Sequence, residues 1–196
     1  KLGFLQNPSL SLKYYVSSTS IQQPFAVSYL INSLGFTPEA ALSASKYVHF
    51  ETPEKADAVV KFLKNHGFSQ TQISNLVRRR PGLLKSNPEK TLLPKMEFFS
   101  SKGIPSPDLA KMFTGVPDLF RRSLEKQIIP SFDLFKSLLQ SEDKTLQAIQ
   151  RCSGMFTYYL ETYVVPNINT LRESGVPESF IISILQKQPR AFRVNP

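Results

Sequence analysis

Ten basic residues of this sequence fall at or beside two positions of a 36-residue period. They are Arg78, Arg79, Arg80, Lys85, Arg121, Arg122, Arg151, Lys187, Arg190 and Arg193. Guanidinium groups bind phosphate oxygens through paired, charge-assisted hydrogen bonds, and ammonium groups bind them as point charges. Residues that share a repeat position lie on the same side of a regular array. The spacing therefore predicts a stripe of cations that follows the phosphate backbone of a nucleic acid.

The two repeat positions differ in what else could explain their charge. One lies at the end of a predicted helix and holds Arg79, Arg151 and Lys187. Cations there also favour the helix macrodipole, which would explain them without any ligand. The other follows a helix-ending proline and holds Lys85, Arg121 and Arg193. Because the macrodipole explains this second position poorly, we expect it to contribute more to binding.

The residue types that carry catalysis or bind metals lack the spacing that such chemistry needs. His49 and His66 have no acidic or histidine partner four residues away, and Cys152 has no histidine near it in sequence. The sequence contains no glycine-rich phosphate loop. We therefore predict a protein that is not an enzyme and has no metal site and no cofactor. Both histidines are interpreted as surface or capping residues.

Composition supports an acidic partner. The 196 residues include 24 Lys plus Arg against 15 Asp plus Glu, a net charge of +9. Nucleic acid is the commonest partner of such a chain, although a basic surface can also serve solubility or face anionic lipid. The single cysteine excludes an internal disulfide and fits a reducing compartment. No apolar run reaches the roughly 18 residues that span a bilayer, so no membrane partner is predicted.

Three further series of residues establish the repeat. Pro94, Pro130 and Pro166 form one, Pro81, Pro117 and Pro189 form the second, and Gly67, Gly103 and Gly175 form the third. Apolar residues follow the same period, and no segment alternates apolar and polar residues over the length of a strand. Each unit has an apolar face that only its neighbours can cover. The sequence predicts an all-α solenoid of about five helix–helix–3₁₀ repeats, curved into a superhelix with a concave surface.

Each unit is predicted to contain two helices and a short turn. In the clearest unit, Ser69 and Gln72 have the spacing of a capping box, and the second helix ends before Pro81. An apolar pair then follows that is too short for an α-helix, so we expect a 3₁₀ turn. Pro94 and its equivalents predict either a first-turn proline after a separate turn or a kink. The phased aromatics are interpreted as core: Phe99, Phe113, Phe120, Phe135 and Phe156.

The array is predicted to cover residues 25–196, after a flexible leader over residues 1–24. One unit departs from the pattern, because Ser153 replaces the expected proline and no glycine precedes Ser141. The final Asn195-Pro196 repeats the register of Asn87-Pro88, which predicts an array that continues beyond this chain. A chain that begins at Lys1 also places any targeting segment outside it.

Three stretches carry a resemblance to a known family. They are LVRRRPGLL at 76–84, PEKTLLPKMEFFSSKGI at 88–104 and LQKQPRAF at 185–192. They resemble the repeat motif of the mTERF family, the relatives of mitochondrial transcription termination factors, and in particular its plant organellar members. The resemblance covers about residues 25–196, and its specificity comes from proline, glycine and apolar positions that agree together.

The resemblance implies stacked helix–helix–3₁₀ units that bind nucleic acid in organellar gene expression. It implies transcription termination or regulation, or RNA processing, with duplex DNA or RNA as the partner. It further implies a monomer on its target, possible organellar protein partners and a mitochondrial location, with the chloroplast as the alternative.

Two other classes of repeat protein are considered. A pentatricopeptide-like reader of single-stranded RNA has a similar period, but two internal proline series would break its uninterrupted helix pairs. A protein-binding scaffold of the tetratricopeptide or HEAT type would have a varied surface rather than cations in phase with the repeat. We therefore favour nucleic-acid binding over both alternatives.

Overall fold

The computed structural model describes residues 24–158 and 160–193, and the leader predicted for residues 1–24 lies almost wholly outside them. The described residues form helices and connecting segments, with no β-strand among them. Their α-helices are α1 (Phe25–Leu34), α2 (Pro38–Ser45), α3 (Glu54–Asn65), α4 (Gln70–Arg79), α5 (Leu93–Ser101), α6 (Ser106–Gly115), α7 (Ile129–Leu139), α8 (Glu142–Arg151), α9 (Leu160–Glu173) and α10 (Glu178–Lys187).

The helices form five consecutive repeats, each with a first helix of odd number and a second helix of even number. Repeats 2 to 5 end in 3₁₀ turns at Pro81–Lys85, Pro117–Arg121, Ser153–Thr157 and Pro189–Arg193. Second helices of neighbouring repeats pack together, α4 on α6 and α8 on α10. The predicted all-α repeat architecture is confirmed. The turn at Ser153–Thr157 forms without its proline, so the departure in repeat 4 does not change the fold.

The predicted helix ends follow from local chemistry. The Ser69 hydroxyl accepts from the Gln72 N–H, and the Gln72 side chain accepts from the Ser69 N–H, which confirms the capping box. Gly67 ends its helix at a φ of 84°, in the left-handed region that glycine enters without steric cost. Repeat 4 has no glycine there, and Gln140 adopts a φ of 51° instead.

The prolines of the first helices take two positions, of which the first-turn position is one that the sequence predicted. Pro94 and Pro130 lie in the first turns of α5 and α7, each after one π-helical turn, at Pro88–Leu92 and Leu124–Ile128. Pro166 lies inside α9. A proline has no N–H to donate and its ring crowds the carbonyl four residues earlier, and a wider π turn relieves both problems.

Aromatic rings dominate the core where repeats 3 and 4 meet. The predicted core residues Phe99, Phe113, Phe120, Phe135 and Phe156 are all buried. The rings of Phe99 and Phe156 meet nearly at right angles, with centroids 5.5 Å apart, which joins repeats 3 and 4. Among the described residues, no helix combines the length and apolar character needed to cross a membrane.

Candidate nucleic-acid interface

Three grooves lie along the edge where second helices end and 3₁₀ turns begin. Groove 1 has a volume of about 820 Å³ and lies between α2, the end of α4 and the turns of repeats 2 and 3. Four of the ten predicted binding residues line it: Arg78, Arg79, Arg80 and Arg121. The fold therefore brings together cations that are more than 40 residues apart in sequence.

Grooves 2 and 3 continue from groove 1 along the same edge. Groove 2, of about 490 Å³, shares Arg78 and Arg79 with groove 1 and adds Lys111. Groove 3, of about 360 Å³, shares Lys111 with groove 2 and adds the predicted residues Arg151 and Arg190. Because neighbouring grooves share lining residues, the three form one path across repeats 1 to 5, which we call the groove line.

Arg79 connects two repeats at the groove line. Its Nη1 donates to the backbone oxygens of Thr114 and Gly115, at 3.0 and 2.9 Å, the last two residues of α6. The final carbonyls of a helix have no partner within the helix and carry partial negative charge. A guanidinium group supplies both the missing hydrogen bonds and a compensating positive charge. Gly115 occupies the repeat position of Arg79, and the cation missing there is supplied by the preceding repeat.

Asp118 is shared by two arginines of groove 1. It forms ion pairs with Arg80 at 2.5 Å and with Arg121 at 3.5 Å. One carboxylate cannot neutralise two guanidinium groups, so the cluster keeps a net positive charge. The Arg121 side chain is 68% exposed and most of its surface faces solvent.

Arg78 is held by an aromatic ring, and no acid in the described part of the chain pairs with it. Its guanidinium carbon lies 5.3 Å from the ring centroid of Phe36, which is buried beneath it. A cation–π contact orients a guanidinium group without consuming its N–H donors. Arg78 can therefore present these donors to a phosphate.

Tyr47 is a functional candidate that the sequence reasoning missed. It follows α2, lines groove 1 and is 72% exposed. An exposed aromatic ring among arginines can stack on a nucleic-acid base. Repeat 1 is shorter than the 36-residue period, so Tyr47 had no equivalent residues to identify it. Its position directly after a short helix was the one signal available.

Arg190 of groove 3 is held by a sulfur atom, and the predicted residues not yet placed are more scattered. Arg190 donates from Nε to the buried Sγ of Cys152 at 3.3 Å, and Arg122 is half-buried, with no hydrogen-bond partner for its Nε among the described residues. Lys85 and Lys187 are exposed but line none of the three grooves. The side chain of Arg193 lies outside the described part of the chain. The grooves thus collect helix-end arginines more than the post-proline cations that the sequence favoured.

The two histidines lie where the sequence placed them. His66 ends α3, stacks on Phe62 with ring centroids 4.0 Å apart and pairs through Nδ1 with the Phe62 backbone oxygen at 2.8 Å. His49 is exposed and lies 3.7 Å from Glu51. Neither histidine lines any of the three grooves.

A family model described as mTERF matches residues 60–195, which is more than half of the chain. The chain belongs to the mTERF family. The mTERF family is a family of helical-repeat proteins that bind nucleic acid in organellar gene expression. No curated protein matches the chain. The matched stretch contains all ten predicted basic residues, whereas Tyr47 lies outside it.

Proposed function

We propose that this mTERF protein binds the phosphate backbone of nucleic acid along the groove line and acts by occupancy, to block or recruit other machinery. The convergence of Arg78, Arg79, Arg80 and Arg121 on groove 1 is the observation that carries the proposal. The step served is transcription termination or regulation, or RNA processing, in the mitochondrion or, as the alternative, the chloroplast of a plant. The protein needs no cofactor and works as a monomer on duplex DNA or RNA.

Positive charge is concentrated in groove 1. Groove 1 contains four arginines, and Asp118, the one carboxylate that pairs with them among the described residues, is shared between two. Binding a phosphate chain there releases condensed counterions, so affinity must fall steeply with salt. Each phosphate contact adds about 0.9 to the slope of log K against log salt on duplex DNA, and six contacts give a slope of about −5.

A pair of triple variants with equal charge change tests the location. Arg78, Arg121 and Arg151 are exposed cations of the groove line that cap no helix, and replacing all three by Glu should lower affinity at least about 100-fold at low salt. The control replaces Lys55, Lys61 and Lys64, exposed residues of α3 that line none of the three grooves, by Glu. Fluorescence anisotropy with duplex DNA, duplex RNA and single-stranded RNA measures both.

The outcomes distinguish an effect of the groove residues from an effect of the protein's net charge. The groove variant should lose binding and keep its helical circular dichroism, since exposed charges contribute about 0–1 kcal/mol each to folding. Equal losses in both variants would show that only net charge matters. Wild-type protein that binds none of the three probes at low salt would remove the proposed function altogether.

A further inference from the structure

A buried lysine lies directly behind the basic turn of repeat 3. Lys95 of α5 is 8% exposed, and its Nζ donates to the backbone oxygen of Phe120 at 2.9 Å and to that of Thr91 at 2.6 Å. Burial lowers the pKa of Lys95, against the opposing effect of the Glu125 charge. A buried charge is costly unless it is paired, so its retention here calls for a reason.

Repeat 5 places another donor at the same repeat position. Asn167 lies 72 residues after Lys95, which is two periods, and its Nδ2 donates to the oxygens of Phe192 at 3.2 Å and Tyr163 at 2.7 Å. Both side chains thus bond the carbonyl four residues earlier in the helix and the carbonyl 25 residues later. Two different residue types make the same pair of contacts.

Repeat 4 keeps the contact by a different route. The repeat position holds Ser131, which is buried but shorter than the other two donors. Gln127, one helical turn earlier, donates from Nε2 to the Phe156 oxygen at 3.0 Å and reaches the Tyr158 oxygen at 3.5 Å. The donor has moved along the sequence while its target has stayed the same, which indicates that the target is what matters.

The three target carbonyls share one place in the fold. Phe120, Phe156 and Phe192 are each the fourth residue of a 3₁₀ turn, and the residue that follows is Arg121, Thr157 or Arg193. Hydrogen bonds within a 3₁₀ turn have poor geometry, and the last carbonyls of a helical segment lack internal partners. A side-chain donor in the first helix, or in the π turn before it, therefore holds the end of the turn in repeats 3, 4 and 5.

We propose that Lys95 is a positioning residue for nucleic-acid binding: by holding the Phe120 carbonyl it orients Arg121 into groove 1. This inference rests on the proposed function. Lys95 itself is buried and contacts no ligand, so its effect passes through the turn. Without the donor, the turn end loosens, and Arg121 must be ordered at each binding event, which lowers affinity.

Three single variants separate positioning from charge and from stability. Lys95→Met removes the donor and preserves the length of the side chain. Lys95→Asn removes the charge but supplies the donor that Asn167 provides in repeat 5. Gln127→Met removes the equivalent donor in repeat 4, where the next residue after the target is the uncharged Thr157.

Hydrogen exchange tests whether Lys95 holds the turn, and binding tests whether the turn positions Arg121. In Lys95→Met, the Arg122 amide, which donates to the Leu119 oxygen at 3.2 Å, should exchange faster, and affinity for the best-bound probe should fall by about two- to tenfold, the cost of ordering one long side chain. Lys95→Asn and Gln127→Met should bind like the wild type, although Gln127→Met should lower the melting temperature about as much as Lys95→Met.

Several results would overturn the inference. These are wild-type affinity in Lys95→Met, an equal loss of affinity in Lys95→Asn, or an equal loss in Gln127→Met. Unchanged exchange of the Arg122 amide in Lys95→Met would overturn it even if no probe bound. Absence of binding by the wild-type protein contradicts the proposed function instead, and the exchange experiment still decides whether Lys95 holds the turn.

Discussion

The arginines of groove 1 differ in what holds them, although their sequence context looks alike. Arg79 bonds the carbonyl end of α6, Arg80 pairs with Asp118, and Arg78 lies over the Phe36 ring. Mutation of Arg79 or Arg80 will therefore mix folding and binding effects. Arg78 and the largely exposed Arg121 are the residues at which binding can be changed with the least effect on the fold.

Tyr47 gives the sharpest residue-scale prediction, because stacking requires an unpaired base. Tyr47→Ala should weaken binding of single-stranded RNA by about 5- to 100-fold, since each stacked base contributes about 1–3 kcal/mol, and should barely change binding of a matched duplex. Tyr47→Phe keeps the ring and should bind both probes like the wild type. Anisotropy titrations at one salt concentration measure the three proteins. Equal losses on single strand and duplex would argue against stacking.

At the scale of the element, Gln140 ends α7 at a position where the equivalent helices end in glycine. Its φ of 51° is strained for any residue with a Cβ. Gln140→Gly should relieve that strain and raise the free energy of unfolding by about 0.5–1 kcal/mol, the balance between lost strain and a more flexible unfolded chain. Urea denaturation followed by circular dichroism measures the change.

Gln140→Ala is the matched control for this helix end. It removes the same side chain but keeps a Cβ, so it should leave the stability nearly unchanged. If Ala stabilised as much as Gly, the Gln side chain and not the backbone conformation would be the source of the cost.

The helices were predictable because their ends are encoded locally, by Ser69 with Gln72 and by Gly67. The arrangement of Pro94 was predictable only as two alternatives, since a π turn depends on how the helix packs. In the site, periodicity assigned Arg79 and Arg121 to different repeat positions, and the fold brings both to groove 1. Periodicity could not reveal that Arg79 caps α6, because that contact crosses between repeats.

At the scale of the whole molecule, the core is divided into two clusters that meet in repeat 4. Phe132, Ile149 and Phe156 belong to the cluster of repeats 1 to 3, whereas Phe135 and most buried residues of repeat 5 form the other. The ring of Phe156 lies 5.5 Å from that of Phe99 and 6.4 Å from that of Phe135, between centroids, and so contacts both clusters. Repeat arrays unfold as one unit only while such interfaces are strong.

We therefore expect Phe156→Ala to uncouple the array as well as destabilise it. Truncation of a fully buried Phe costs about 3–5 kcal/mol, and here the loss falls on the contact between the clusters. Unfolding in urea should change from one transition to two. The smaller cluster, which contains the buried residues of repeat 5, should unfold first. Phe192→Ala is the control, because Phe192 is equally buried but belongs to the second cluster alone. It should lower stability while keeping a single transition. A single transition in Phe156→Ala would show that the repeats remain coupled through other contacts.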